Sequence, residues 1–282
     1  MKTFSIEPKN EPKRKIRCPV CGSSDIRLHW SYEQYAYSRC PGCGLVYQNP
    51  QPLQSNLFER YDEEYFTYER ENEEAYYRLM KLGLGDIGFG AIASMIPDEQ
   101  KSIIDIGCAT GRLIAGFKTE GWRTQGVEIC RPSAEYGMST YDVPIHIGTL
   151  DTGGFEKASF AVAHCSHLIE HLTDPLSFLS EVRQLLIPRG WLIMTTPNIS
   201  GFQARLMREK WRSAIADHLF LYSRSTLSRL LSSNGFDVLR TKTWGGIGVG
   251  ITADWIKKPA DILAKKLGFG DVMITLARKH EL

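Results

Sequence analysis

Ile103-Ile104-Asp105-Ile106-Gly107-Cys108-Ala109-Thr110-Gly111 is a run of branched apolar residues that breaks into a glycine-spaced turn. Branched residues favour strand, so Ser102–Ile106 reads as a short buried strand. Gly111–Lys118 then carries Leu113, Ile114 and Phe117 at helical spacing and stops before Gly121. Glycines in such a strand–turn–helix unit let the backbone approach a ligand closely. The next strand, Thr124–Ile129, brings Glu128 to its end, seventeen residues after Gly111. A carboxylate at that place accepts hydrogen bonds from both hydroxyls of a ribose.

The alternation continues outward from this unit. A helix starts near Pro132, and Pro144–Ile147 and Phe160–Cys165 read as the third and fourth strands. Asp174-Pro175 supplies an N-cap and a first-turn proline, and Phe178, Leu179, Val182, Leu185 and Leu186 form the stripe of the helix that follows. Pro188-Arg189-Gly190 turns the chain into a fifth strand, Trp191–Thr195. Regular alternation predicts an α/β fold with a mostly parallel sheet and helices on both faces. Upstream, Asn49–Gln54 breaks regular structure, and residues 55–96, rich in Glu, Tyr and Leu, read as helical. The expected division is a knot with a basic arm over 1–50, a helical linker or lid over 51–98, and the α/β domain over 99–282. Gly245–Gly250 lacks the Lys and Ser/Thr of a P-loop and reads as a flexible connection.

Cys18-Pro-Val-Cys21 and Cys40-Pro-Gly-Cys43 are two C-x-x-C pairs with eighteen residues between them. Each pair offers two thiolates from one tight turn, and two such turns complete a tetrahedral zinc site. Gly22 and Gly44 follow the pairs, as turns around a metal require. Four thiolates leave no open position, so the zinc is expected to be structural, and its loss to disorder the knot while leaving the α/β domain folded. A dithiol redox site fits less well, because the pairs do not open a helix after a strand.

The 282 residues are 43% hydrophobic with a net charge of +2, ordinary for a globular chain with a sizeable core. That near-neutral balance disfavours nucleic acid and anionic membrane as partners. Lys9, Lys13, Arg14, Lys15 and Arg17 concentrate basic charge in an N-terminal arm read as solvated. No apolar run approaches the roughly 18 residues of a membrane span, and no secretory leader is visible. The expected location is therefore the cytoplasm, where thiols stay reduced.

DIGCATG (Asp105–Gly111), with GVE (Gly126–Glu128) ending the second strand, resembles class I S-adenosylmethionine-dependent methyltransferases. IGTL (Ile147–Leu150), SHLIEHLTDP (Ser166–Pro175), PRGWLIMTTPN (Pro188–Asn198) and HLFLYSRSTLSRLLSSNGF (His218–Phe236) agree with it in order, so the resemblance spans roughly residues 100–282. It implies a Rossmann-like fold and S-adenosylmethionine held by Asp105, Gly107, Cys108, Ala109, Gly111, Glu128, Ile129, Thr149, Leu150 and His164, with the Ile147–Leu150 turn beside the adenine. Two residues depart from the pattern. Ala109 replaces the middle glycine, tolerable if its φ stays negative, and Ala161 replaces an acidic residue early in the fourth strand. A nicotinamide dehydrogenase is the rival reading, but the loop is G-x-A-x-G rather than G-x-G-x-x-G, and Asp105 precedes it.

The fourth strand runs into His164-Cys165-Ser166-His167-Leu168-Ile169-Glu170-His171. Methyl transfer needs alignment, and a hydroxyl acceptor also needs a base, for which His167 is the candidate. His-x-x-Glu-His also matches an inverted zinc-protease motif, a reading that requires a long helix where a strand end is expected. Resemblance to quinone O-methyltransferases implies a divalent cation near Glu170, held by His167, Glu170 and His171. Against that, Glu170 and His171 can simply buttress the loop. His218 can reach the acceptor or pack at a helix end. The zinc knot before this fold, with CGLVYQNP (Cys43–Pro50), resembles enzymes acting on sugars or related small metabolites, while a related group acts on ribosomal RNA. A small-molecule acceptor is expected, with RNA or a non-catalytic adaptor as alternatives. No oligomeric state follows from the sequence.

Overall fold

The computed structural model describes residues 12–53, 61, 63–245, 265 and 267–281. Part of the basic arm and most of the Gly245–Gly250 connection lie outside the described residues. The cysteine-bearing segment forms β1 (Lys13–Arg14), β2 (Arg27–Ser31), β3 (Ala36–Arg39), β4 (Val46–Gln48) and β5 (Gln51–Pro52). Each C-x-x-C turn closes through the glycine behind it, whose N–H donates to the first cysteine's carbonyl: Gly22 to Cys18 and Gly44 to Cys40. Both glycines are left-handed, with φ of 74° and 83°, a conformation that strains any side chain.

Helices α1 (Glu63–Asp86) and α2 (Phe89–Ala93) occupy the expected helical segment, divided at Gly88 with φ 70°. The α/β unit follows as β6 (Ser102–Ile106), α3 (Arg112–Thr119), β7 (Arg123–Glu128), α4 (Arg131–Tyr141), β8 (Ile145–Ile147), β9 (Phe160–Ser166), α5 (Pro175–Leu185) and β10 (Leu186–Pro197). After these come α6 (Phe202–Met207), β11 (Phe220–Leu221), α7 (Arg224–Ser233), β12 (Phe236–Trp244) and β13 (Val272–Lys279). Seven strands form one sheet in the order β12-β13-β10-β9-β6-β7-β8. β6 to β10 pair in parallel, and β13 joins β10 and β12 antiparallel. All five β6 residues are buried, as a strand covered on both faces requires. The order reverses at β6: β7 and β8 lie on one side, β9 and β10 on the other. Ligands of open parallel sheets bind outside the strand ends at such a switch point.

The expected start of the fifth strand is corrected. β10 begins at Leu186, which pairs with Phe160, and pairing resumes at Trp191 opposite Val162. Pro188-Arg189-Gly190 is therefore an irregularity inside the strand, with Arg189 left-handed at φ 60°. Leu186 belongs to the strand rather than to the helical stripe, because its ψ of 138° is extended, yet it is fully buried. Helix α5 is capped as expected: Asp174 Oδ1 accepts from the N–H groups of Leu176 and Ser177 at 3.1 and 3.0 Å. Helix α4 meets the glycine turn at Gly137, where an added Cβ would stand 2.2 Å from the carbonyl oxygen of Thr110.

A second sheet, ordered β11-β4-β3-β2, joins distant parts of the chain. Phe220 pairs with Tyr47 and Leu221 with Val46, so β11, which follows β10, completes the sheet of the knot. Tyr37 and Val46 share an apolar cluster with Ala204, Trp211, Ala214 and Leu221. A boundary at residue 50 therefore cuts a continuous sheet and its core.

Candidate active site

The turn after β6 winds through Gly107 at φ 73°, Ala109 at 51° and Gly111 at 71°. The condition under which alanine is tolerated here without strain, a negative φ, is not met. Its N–H donates to Glu128 Oε2 at 2.8 Å, and that bond wraps the turn around the carboxylate. A left-handed alanine costs about 1–2 kcal/mol, and a hydrogen bond to a charged group offsets a comparable amount. Glu128 Oε1 accepts from the N–H of Cys130 at 2.7 Å. Burial raises the Glu128 carboxyl, opposed by the N–H groups of Cys130, Ala109 and Ile129. A carboxylate offers about four acceptor positions, so with these three N–H groups in place about one remains for a ribose hydroxyl.

The other cofactor candidates surround this carboxylate. Ile129 and Thr149 are partly exposed, Leu150 is buried, and Gly148 ties their turn to β7 by donating to Glu128 O at 2.9 Å. Asp105 and His164 lie side by side beneath the turn, Oδ1 and Nδ1 2.6 Å apart, both buried. Cys108 is buried as well.

Sequence reading missed one wall of this cleft. Tyr65, Glu69 and Glu73 recur every fourth residue along α1, the spacing of one helical face. Glu69 Oε2 accepts from Ser133 Oγ at 2.9 Å, and Glu73 accepts from Thr110 Oγ1 and, at 2.7 Å, from Tyr141 OH. The helix is thus tied to the glycine turn and to α4. Burial, helped by the Glu128 charge, raises the Glu69 carboxyl to about 8. Such a group holds a proton in the folded chain that the unfolded chain has released. Its stabilising share is complete below the ordinary carboxylate pKa and is lost as pH rises through about 8. Glu69→Gln should therefore gain stability over wild type between pH 5 and pH 8.5, by about 1–3 kcal/mol. Urea midpoints at both pH values check this; a constant difference between the two proteins would remove the shift.

Beyond β9, His167 is left-handed at φ 52°, and Leu168 lies over the turn, 3.6 Å from where a Cβ on Gly107 would stand. The His167 side chain is 49% exposed, and its Nδ1 faces Glu170 Oε1 at 3.2 Å. Glu170 is completely buried, and its Oε2 accepts from Thr196 Oγ1 at 2.9 Å. Burial would raise this carboxyl, but the hydrogen bond from His167, together with the neighbouring imidazoles, outweighs it and holds the carboxyl at about 2. Residues 168–171 form a turn rather than a helix, so the inverted protease geometry is absent.

His171 packs edge-on against His218, ring centres 4.7 Å apart. His171 Nδ1 is buried without a hydrogen-bond partner. His218 is buried, its Nδ1 lies 2.7 Å from the carbonyl of Ser213, and burial with the nearby His171 lowers its pKa to about 3. A neutral ring donating from Nδ1 leaves Nε2 as an acceptor. Ligand atoms of Glu170, His171 and His218 all lie within 4.8 Å of one another. The resemblance grouped His167 with Glu170 and His171, whereas this cluster takes His218 as its third member.

In the knot, the four sulfurs of Cys18, Cys21, Cys40 and Cys43 also lie within 4.8 Å of one another. Cys18 Sγ is 3.4 Å from Cys43 Sγ, and Cys21 Sγ is 3.5 Å from Cys40 Sγ. Thiols gathered this closely, on two turns with left-handed glycines, suit one tetrahedral metal.

The parallel sheet, the glycine turn and the carboxylate at the end of β7 together define a class I methyltransferase fold of the S-adenosylmethionine-dependent type. The chain belongs to the methyltransferase domain family, whose model matches residues 88–241. It is 31% identical over 106 residues to a ubiquinone biosynthesis O-methyltransferase of Paraburkholderia phymatum, covering 35% of this chain and 45% of that protein. A protein of the same name from Paracidovorax citrulli is 24% identical over 122 residues, covering 41% and 51%. The chain thus spans about half the length of the curated relatives it matches. An S-adenosylmethionine-dependent methyltransferase of Thermotoga maritima shares the fold with a TM-score of 0.54 at 21% identity, over 77% of this chain and 97% of that one. Among the described residues no helix is long and apolar enough to cross a membrane.

Proposed function

We propose that this chain transfers the methyl group of S-adenosylmethionine to a hydroxyl of a small molecule, a sugar or a phenol, with His167 as the base. The observation that carries this reading is the His167–Glu170 pair at the end of β9, set beside the glycine turn by Leu168. The cofactor supplies an electrophilic methyl on a sulfonium. The left-handed Gly107 and Gly111 let the turn fold back onto Glu128, which offers an acceptor to the ribose. Glu170, ionised and buried, fixes the His167 ring through Nδ1, which leaves Nε2 to take the acceptor's proton. The curated relatives' printed name supports an O-methyl product on a small molecule.

Two metals fit the side chains present. Cys18, Cys21, Cys40 and Cys43 would hold a structural zinc; they work only as reduced thiolates, which supports the expected cytoplasmic location. Glu170, His171 and His218, with His171 Nδ1 unpartnered, suit a divalent cation that would polarise the acceptor oxygen.

Calorimetry with S-adenosylmethionine and S-adenosylhomocysteine tests the reading. Glu128→Ala should weaken both by about 1.5–3 kcal/mol, the scale of lost charge-assisted hydrogen bonds. A folded wild type that binds neither compound would overturn the proposal, and a folded variant with unchanged affinity would remove Glu128 from the ribose site.

A further inference from the structure

The chain between β10 and α7 leaves the central sheet, passes Trp211 and Ser213, and returns through β11. His218 sits in this strap. On one side the strap is tied to the turn after β9, where the N–H groups of Leu219 and Phe220 both donate to the carbonyl of Glu170, at 2.7 and 3.1 Å. On the other side it is held by side chains of the cysteine knot. Tyr37 OH, fully buried, reaches the carbonyls of Ile215 and His218 at 2.8 and 2.7 Å. Gln48 Nε2 donates to the carbonyls of Ala216 and His218 at 2.7 and 3.0 Å, and Gln48 N donates to Leu219 O at 2.8 Å. Tyr35 OH donates to Ala214 O at 2.9 Å.

These bonds have a direction. Buried knot side chains donate to backbone carbonyls of the strap, groups that need such partners away from water. Two knot residues converge on the carbonyl of the histidine itself. The ring of that histidine, bonded through Nδ1 to Ser213 within the same strap, is then set edge-on against His171.

We infer that the cysteine knot is a working wall of the acceptor site, and that Tyr37 and Gln48 are positioning residues that fix His218 against His171. The inference rests on the proposed placement of the reactive groups at the end of β9. It assigns the knot a role in the geometry of the site, beyond stabilising its own fold.

Ring-nitrogen magnetic resonance of 15N-histidine-labelled, zinc-loaded full chain tests it, with the His171 and His218 signals assigned from His171→Gln and His218→Gln. In Tyr37→Phe, which removes only the hydroxyl, both signals should shift or broaden, while remote His280 stays in place and calorimetric affinity for S-adenosylhomocysteine is unchanged. Gln48→Leu should act on the same two signals. If Tyr37→Phe does not fold, Gln48→Leu carries the test alone, because the Gln48 amide meets the same His218 carbonyl. Signals of His171 and His218 that coincide with wild type in the folded variants would overturn the inference. Wild type that binds no S-adenosylhomocysteine counts against the proposed function alone, because the ring signals report the wall whether or not the chain binds cofactor.

Discussion

His167→Ala is expected to lower turnover by about 10²–10⁴-fold, the usual contribution of a positioned base. Cofactor affinity should stay close to wild type, because Glu128 and the glycine turn are held by bonds that do not involve His167. The magnitude follows from how the pair is built. Glu170 is completely buried and ionised, bonded at one oxygen to Thr196 and facing His167 Nδ1 with the other. An Nδ1–H donated to that carboxylate would leave Nε2 of the half-exposed ring as the acceptor of the proton. Glu170→Gln should lose much of the same activity, since an amide can hold the ring but does not stabilise the imidazolium formed when the proton arrives. Single-turnover rates on a surrogate alcohol check both. Rates equal to wild type in His167→Ala would move proton removal to His171 or His218.

Removing the knot metal, by chelation or by Cys40→Ser, is expected to release more of the chain than the knot. Structural zinc contributes about 10–16 kcal/mol to the folding of small zinc-bound peptides. Here Cys18, Val20, Cys40, Leu45 and Tyr47 share one apolar cluster with Leu219, Phe220 and Tyr222. Tyr47 and Phe220 stack with ring centres 6.1 Å apart, and β4 and β11 are hydrogen-bonded. Losing the four thiolate bonds therefore exposes the strap as well. The expectation that only the knot disorders changes accordingly: residues 209–222 should lose hydrogen-exchange protection together with residues 18–48, while β6, β9 and β10 keep theirs. Full protection of 209–222 in metal-free chain would show that the strap stands without the knot.

Two parts of the site were legible because their signals are local in sequence. A strand, a glycine turn and a helix lie within residues 102–118, and the position of Glu128 follows from the next strand, since each element's periodicity is written in adjacent residues. The paired C-x-x-C spacing is equally local. The φ of Ala109 was not legible because the group its N–H meets, Glu128, lies nineteen positions away. Glu69 and Glu73 lay on a helix whose identity was readable but whose packing partner was not. His218 could be named but not placed.

By itself, the sequence determined the α/β class, the strand–turn–helix unit with Glu128 at the end of the next strand, and the paired cysteine spacing, since hydrophobic period, turn chemistry and ligand spacing are properties of contiguous residues. Only the tertiary structure decided that Glu69 of α1 bonds Ser133 of α4, that β11 completes the sheet of the knot, and that the ligand atoms of His218 stand with those of Glu170 and His171. Each of these joins residues more than forty positions apart, and such contacts depend on how whole elements pack, which no local pattern encodes.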